Sequence, residues 1–255
     1  MEREQLQQHL SQISTMWTVL RQAHATDPSV SGEAQLELLK RYAVPIYRYL
    51  LGSVRDPDLA DELYQEFALR FVRGDFHRAN PQRGRFRDFL KTVLANLIVD
   101  HHRKRKRVAA SLSSDVPERE VEDAPGAEDD ARFLSLWRGE LLAKSWERLA
   151  ILEQTQGQWL YTVLKYRSDH PDLRSQDIAQ QLEQQIGRPL TPEWVRKRLH
   201  LAREKFSDFL LDEVAHSLRS PSVDDLENEL LELDLLEHCR PALNRWSARN
   251  GTSRI

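Results

Sequence analysis

GRFRDFLKTVLANLIVDHHRKRKR, Gly84 to Arg107, is the stretch on which the fold turns, because it reads as one amphipathic helix that runs out into a basic tail. Phe86, Phe89, Leu90, Val93, Leu94 and Leu97 recur at the three- and four-residue steps that build a single buried stripe on an α-helix. Arg85, Asp88, Lys91, Thr92, Ala95, Asn96, Val99 and His102 follow the same steps on the other side, a face of small, polar and cationic groups that no core requires. Arg103, Lys104, Arg105, Lys106 and Arg107 come next without a break. Adjacent cations repel one another unless an anionic surface such as a phosphate backbone comes close, so the helix points at nucleic acid. The plainer alternative is a solvated last turn that complements the helix dipole, although a dipole needs only about one or two cations.

Charge elsewhere supports that reading. The net charge of the 255-residue chain is only −3, yet Arg70 to Arg107 holds 12 Lys and Arg against 3 Asp and Glu, while Ser113 to Asp130 holds 1 against 8. The acidic block, SSDVPEREVEDAPGAEDD, contains Pro117, Pro125 and Gly126 and almost no large apolar residue, so burial cannot repay its ordering entropy. Residues 109–130 are therefore expected to be a flexible linker between two helical domains. The length allows each domain a core of its own.

Cys239 is the only cysteine, which excludes an internal disulfide framework or a thiolate metal cluster and suits a reducing cytoplasm. The first residues, MEREQLQQHL, lack the apolar run of a signal peptide, and no segment approaches the roughly 20 apolar residues of a membrane span.

Working outward, residues 1–30 read as an extension with a weak helix through Leu6, Leu10, Ile13, Trp17 and Leu20, broken by Asp27, Pro28, Ser29, Ser31 and Gly32. Residues 31–108 form the first domain. Its opening helix, Glu33 to Leu51, is expected to bend or re-start at Pro45. Asp56, Pro57 and Asp58 then give a cap, a first-turn proline and an acid, predicting a helix from Pro57 to Arg73 that stops at Gly74. Leu59, Leu63, Phe67 and Phe71 make its buried stripe, leaving Asp61, Glu62, Gln65, Glu66 and Arg70 outward. Asp75 to Arg85 reads as a cationic loop in which Phe76 and His77 either stack on an unpaired base or, for Phe76, plug the core.

Residues 131–217 form the second domain: a helix from Ala131 to about Gln154, another through Trp159 to Tyr166, a third capped by Ser175 and ending at Gly187, and a fourth opened by Thr191, Pro192 and Glu193. The fourth buries Val195, Leu199, Ala202, Phe206 and Leu210 and exposes Arg196, Lys197, His200 and Arg203. Helix, Gly-containing turn and helix with a cationic outer face is the helix-turn-helix pattern. Residues 218–255 are an acidic, leucine-rich extension with an amphipathic helix over Ser222 to Cys239 and a frayed end from about Asn244. Its carboxylates shield Arg196 and Lys197, belong to a helix that only covers a hydrophobic edge, or form a partner-binding site.

Phosphate-loop, HExxH and GxSxG motifs are missing, adjacent His101 and His102 diverge by about 100° on a helix, and no carboxylate pair sits among apolar neighbours. Neither catalysis, a metal nor a cofactor is expected of this chain.

DLADELYQEFALRFV, Asp58 to Val72, resembles the segment of bacterial sigma factors that docks on the clamp helices of core RNA polymerase. GRFRDFLKTVLANLIVDHHRKRKR resembles the adjoining segment that recognises and opens the promoter −10 element, and WVRKRLHLAREKF, Trp194 to Phe206, resembles the recognition helix that reads the −35 element. Their order around a linker is similar to the layout of an extracytoplasmic-function sigma factor with a C-terminal extension. The resemblance implies an all-α, two-domain protein, a region 2 bundle and a region 4 helix-turn-helix, whose partners are core RNA polymerase and promoter DNA, with an anti-sigma factor or other regulator as a further candidate.

Carried over by position, Asp61, Glu62, Gln65 and Glu66 would contact polymerase. Lys91, Asn96, Arg103, Lys104, Arg105, Lys106 and Arg107 would face the −10 region, and Phe76, His77, Arg78 and Asn80 lie in the loop that captures a flipped base in the family. Arg196, Lys197 and His200 would face the −35 groove. This chain departs from the family in having Ala68 where an aromatic is common, and in a longer turn, LEQQIGRPLTPEW, before the recognition helix. A stand-alone helix-turn-helix regulator and a helical scaffold with incidental basic surfaces are the other readings of the same residues.

Overall fold

The computed structural model describes residues 28–76, 85–112, 127–218 and 221–250. Among them the chain is all-α: α1 (Pro28–Val54), α2 (Pro57–Arg73), α3 (Phe86–Leu112), α4 (Ala127–Gln156), α5 (Leu160–Asp169), α6 (Ser175–Ile186), α7 (Pro192–Ser217), α8 (Val223–Glu232) and α9 (Leu236–Asn250). None of these helices is long and apolar enough to cross a membrane. The helix expected over residues 1–30 lies, up to residue 27, outside the described residues, as do residues 113–126 of the acidic stretch.

Two compact units divide the chain within α4. One holds α1 to α3, α4 as far as Arg138 and residues 216–218; the other holds α4 from Gly139, α5, α6, α7 as far as Ala215, α8 and α9.

In the first unit, α2 has its expected bounds because its ends are chemically specified. Asp56 Oδ1 accepts from the backbone N–H groups of Asp58 at 3.0 Å and Leu59 at 3.3 Å, and Pro57 fills the first turn. At the other end Gly74, at φ 85°, donates to the Phe71 carbonyl. Pro45 does not divide α1, which runs unbroken past it although Pro45 can donate no helical hydrogen bond. Residues 28–32, read from sequence as a break, are its first turns.

Leu38, Tyr42, Ile46, Tyr49 and Leu50 of α1, Ala60, Leu63, Phe67 and Phe71 of α2, and Phe86, Leu90, Leu94 and Leu97 of α3 are buried together with Phe133 and Trp137 of α4. Tyr42 stacks on Trp137 at 5.1 Å, and Tyr49 meets Phe133 edge-on at 5.2 Å. Two large aromatics therefore draw the start of α4 into this core, each worth on the order of 2 kcal/mol or more in buried area. That is why Ala127 to Asp130, read from sequence as the end of a linker, instead form the first turn of α4 with their acids at the positive end of its dipole. Arg132 lies across α1 at Gly52, where a Cβ would come within 2.8 Å of its chain. Asp129 joins Arg132 at 2.9 Å to Ser53 at 3.4 Å.

In the second unit, Leu149, Leu160, Val163, Ile178, Ala179, Leu182, Leu190, Val195, Leu199 and Ala202 form the core on which α6 and α7 are mounted. Arg174, not Ser175, occupies the cap of α6, its N–H donating to Asp177 Oδ2 at 3.0 Å. Gly187, at φ 75°, closes α6, and Thr191 Oγ1 accepts the Trp194 N–H at 3.1 Å to open α7. The longer turn between them is pinned by the Leu190 N–H donating to Glu183 Oε1 at 3.0 Å and by the buried Leu190 side chain.

The extension is two helices. Leu226, Leu230, Leu233, Leu235, Leu236, Cys239, Ala242 and Leu243 of α8, α9 and the turn between them are buried. Its end is not frayed at Asn244: α9 continues to Asn250, with Arg245 2.6 Å from Asp208 and 3.6 Å from Glu204 of α7.

Candidate functional site

Three surfaces carry the residues singled out from sequence. On α2, Asp61, Glu62 and Gln65 are exposed and Glu66 is partly so, all away from the core stripe. Glu66 accepts from Arg70 Nε at 2.7 Å, and this hydrogen bond, the largest influence on it, holds its carboxyl below the usual range. Arg70 also lies 3.6 Å from Asp100 of α3. Glu62 lies 3.9 Å from His101, while Asp61 accepts from Tyr47, whose hydroxyl is raised by desolvation first and by Asp61 second.

Sequence reasoning missed that this polar row continues into apolar residues. Leu69 and Val72 are 50 % and 53 % exposed. They lie three or four residues on from Gln65 and Glu66 and from Leu69 itself, which is the same face of the helix. The spacing carries that signal, but a large apolar residue beside a strong core stripe reads by default as part of the core.

On α3, Phe86, Leu90, Leu94 and Leu97 are buried as expected, with Phe89 and Val93 partly so. Thr92, Asn96 and Arg103 are exposed at steps of four and seven residues and so form one outward row with the partly exposed Val99. Lys91 does not join it. Its Nζ lies 2.7 Å from Asp130 of α4, so this candidate cation is held by an acid of the same unit. Arg103, Lys104, Arg105, Lys106 and Arg107 are all exposed, and successive side chains diverge by about 100° around the helix instead of sharing one face. Arg87, 2 % exposed, was not singled out, although it stands on the buried steps 87, 90 and 94.

Phe76 is partly buried, with its ring 5.8 Å from Phe67, 6.2 Å from Phe71 and 5.9 Å from Phe89, so of the two roles its sequence leaves open it fills the core-plugging one. His77, Arg78 and Asn80 lie outside the described residues.

On α7, Arg196, Lys197, His200 and Arg203 are exposed over the buried Val195, Leu199 and Ala202. Lys197 is 2.9 Å from Glu193, whose carboxyl it holds below the usual range, and His200 is 3.7 Å from Glu204. Sequence reasoning missed Arg188 and Arg198, whose guanidinium carbons lie 5.3 Å and 5.5 Å from the centre of the Trp194 ring. The extension meets α7 farther along, through Arg245 and through the His238 carbonyl, which accepts from Ser207 at 3.0 Å. Among the described residues the ion partners of Lys197 and His200 are acids of α7 itself, which favours the edge-covering role of the extension over shielding.

No curated protein and no solved structure matches the chain. Residues 38–108, which run from α1 through α2 and along α3 to its basic tail, match the family model of sigma-70 region 2.

Proposed function

We propose that the chain is a bacterial sigma factor of the extracytoplasmic-function type. The first unit docks on core RNA polymerase through the outward face of α2, with Asp61, Glu62, Gln65 and Glu66 supplying polar contacts and Leu69 and Val72 an apolar end. Outward side chains of α3 and the stretch from His77 to Arg85 hold the melted −10 strand, cations on phosphates and that stretch on an unstacked base. The helix-turn-helix of α6 and α7 presents Arg196, Lys197 and His200 to the −35 groove. The protein works in the cytoplasm, and the polymerase performs the chemistry. A regulator of the anti-sigma kind would act by covering either face.

The observation that carries this reading is the region 2 match over residues 38–108, which spans most of the first unit's helices and includes an α2 whose exposed row ends in two large apolar side chains. Neighbouring apolar groups exposed on one outer face of a helix offer a partner a surface to bury, as a single exposed apolar residue does not. Co-purification with core RNA polymerase tests it. The double change Glu62→Lys and Glu66→Lys should abolish recovery of polymerase while leaving helicity intact, because the ion pairs it removes are surface ones worth about 1 kcal/mol at most. Failure of the unaltered chain to recover polymerase sinks the reading; unfolding of the variant makes these residues structural.

A further inference from the structure

The outward residues of α7 fall into rows set by the helical step of about 100°. Arg196, His200 and Arg203 form one edge, Glu193, Lys197 and Glu204 the outermost row, and Arg198 stands about 160° around the helix from Arg196. Arg198 is not alone there. Its guanidinium and that of Arg188, from the turn before α7, both lie over the Trp194 ring, and exposed Lys205 continues the same edge about two turns on. Among the described residues neither arginine has a carboxylate within ion-pair distance, in contrast to Lys197, which is tied to Glu193 at 2.9 Å.

A guanidinium held over an aromatic ring spends none of its N–H donors on a hydrogen bond there, and those donors match the oxygens of a phosphate in the bidentate manner. The cation–π contact also restricts rotamer freedom before any ligand arrives, which lowers the entropic cost of gripping one. The turn that carries Arg188 is itself fixed, by Glu183 on the Leu190 N–H and by the Thr191 cap. A helix lying in a duplex groove has a phosphate strand on either side of it. We infer that Arg188 and Arg198, mounted on Trp194, grip the phosphate backbone of the DNA strand on the side of α7 away from Arg196 and Arg203. This inference rests on the reading of α6 and α7 as a duplex-DNA reader and adds a second strand contact to it.

The test is the salt dependence of binding of the full chain to a mixed-sequence DNA duplex, since phosphate contacts do not depend on sequence. The double variant Arg188→Gln and Arg198→Gln should flatten the slope of log affinity against log salt by about 1 to 2. The Lys pair, Arg188→Lys and Arg198→Lys, should keep a slope near that of the unaltered chain, and circular dichroism melting should be alike for all three. A second pair, Arg196→Gln and Arg203→Gln, reports on the opposite edge. If that pair flattens the slope and the Arg188 and Arg198 pair does not, the second grip is overturned while the DNA-reading helix stands. Should neither pair alter the slope, or the chain bind no duplex, the DNA reading of α7 falls and takes the grip with it. A flatter slope accompanied by a lower melting temperature would make the cation–π contact a structural clamp and overturn the inference as well.

Discussion

Freeing Lys91 from Asp130 should add a DNA contact at almost no expense in stability. The pair is 2.7 Å long, but its side chains are 32 % and 48 % exposed, so it contributes only about 0.2–1 kcal/mol to folding. Asp130 also lies in the first turn of α4, where an acid adds about 0.3–1 kcal/mol through the dipole. Asp130→Asn therefore costs the first unit at most about 2 kcal/mol, while the buried aromatics that seat α4 stay in place. On DNA the consequence is larger in relative terms. One more cation released to phosphate steepens the log-affinity against log-salt slope by about 0.9 on duplex or about 0.7 on a single strand. Fluorescence anisotropy of the full chain on labelled DNA over a salt series measures this. Asp130→Asn should steepen the slope, Lys91→Gln alone should hardly move it, and Lys91→Gln added to Asp130→Asn should cancel the gain. If Lys91→Gln in the unaltered background already flattens the slope by a full contact, Lys91 reaches DNA despite Asp130; if Asp130→Asn changes nothing, Lys91 does not face DNA at all.

In the second unit Arg148 lies 2.9 Å from Asp212, 3.3 Å from the buried Glu213 and 4.4 Å over the Phe209 ring, so Arg148→Met should lower stability by about 2–3 kcal/mol in chemical denaturation, with Glu213→Gln restoring part of the loss. Burial pushes the Cys239 thiol up from 9.0 to about 12, so it should resist thiol reagents in the native protein and react on unfolding. By the same shift the folded chain keeps a proton that the unfolded chain releases, and stability should fall as pH rises from about 9 toward 12, read as a declining melting temperature that Cys239→Ala flattens. Asp56→Ala should cost about 1 kcal/mol and fray the start of α2 without touching its outward face, measurable by amide exchange at Asp58 and Leu59.

Local chemistry made much of the fold legible. The bounds of α2 follow from Asp56, Pro57 and Gly74, and the start of α7 follows from Thr191, Pro192 and Glu193, because caps act over about three or four residues and carry their signal within that window. The buried stripes of α2, α3 and α7 were equally visible, since a period needs no knowledge of what it packs against. Partners distant in sequence were not. Ala127 to Asp130 look like the end of a linker by composition, and it is the packing of Phe133 and Trp137 on Tyr49 and Tyr42, with the pairing of Asp130 with Lys91, that draws that turn into the first unit. The end of α9 misled for the same reason: the tail from about Asn244 reads as frayed, whereas Arg245 reaches Asp208 on α7.

The same distinction governs the functional surfaces. Counting cations along the sequence treats Lys91, Lys197, Arg188 and Arg198 alike, but a phosphate meets them on unequal terms. Lys91 and Lys197 have carboxylates at 2.7 Å and 2.9 Å and must give up that partner to take another, so each gains less from DNA than its charge suggests. Arg188 and Arg198 have no acid to leave among the described residues, and Trp194 already holds them in place. Arg103 to Arg107 likewise have no acid within ion-pair distance among the described residues, yet they fan around the helix, so a single backbone passing on one side meets only part of the run. The salt slope of the whole chain should therefore fall short of its count of exposed cations. It should respond most to substitutions at Arg188, Arg198 and those residues of the basic tail that share the Thr92 and Asn96 row, of which Arg103 is the first.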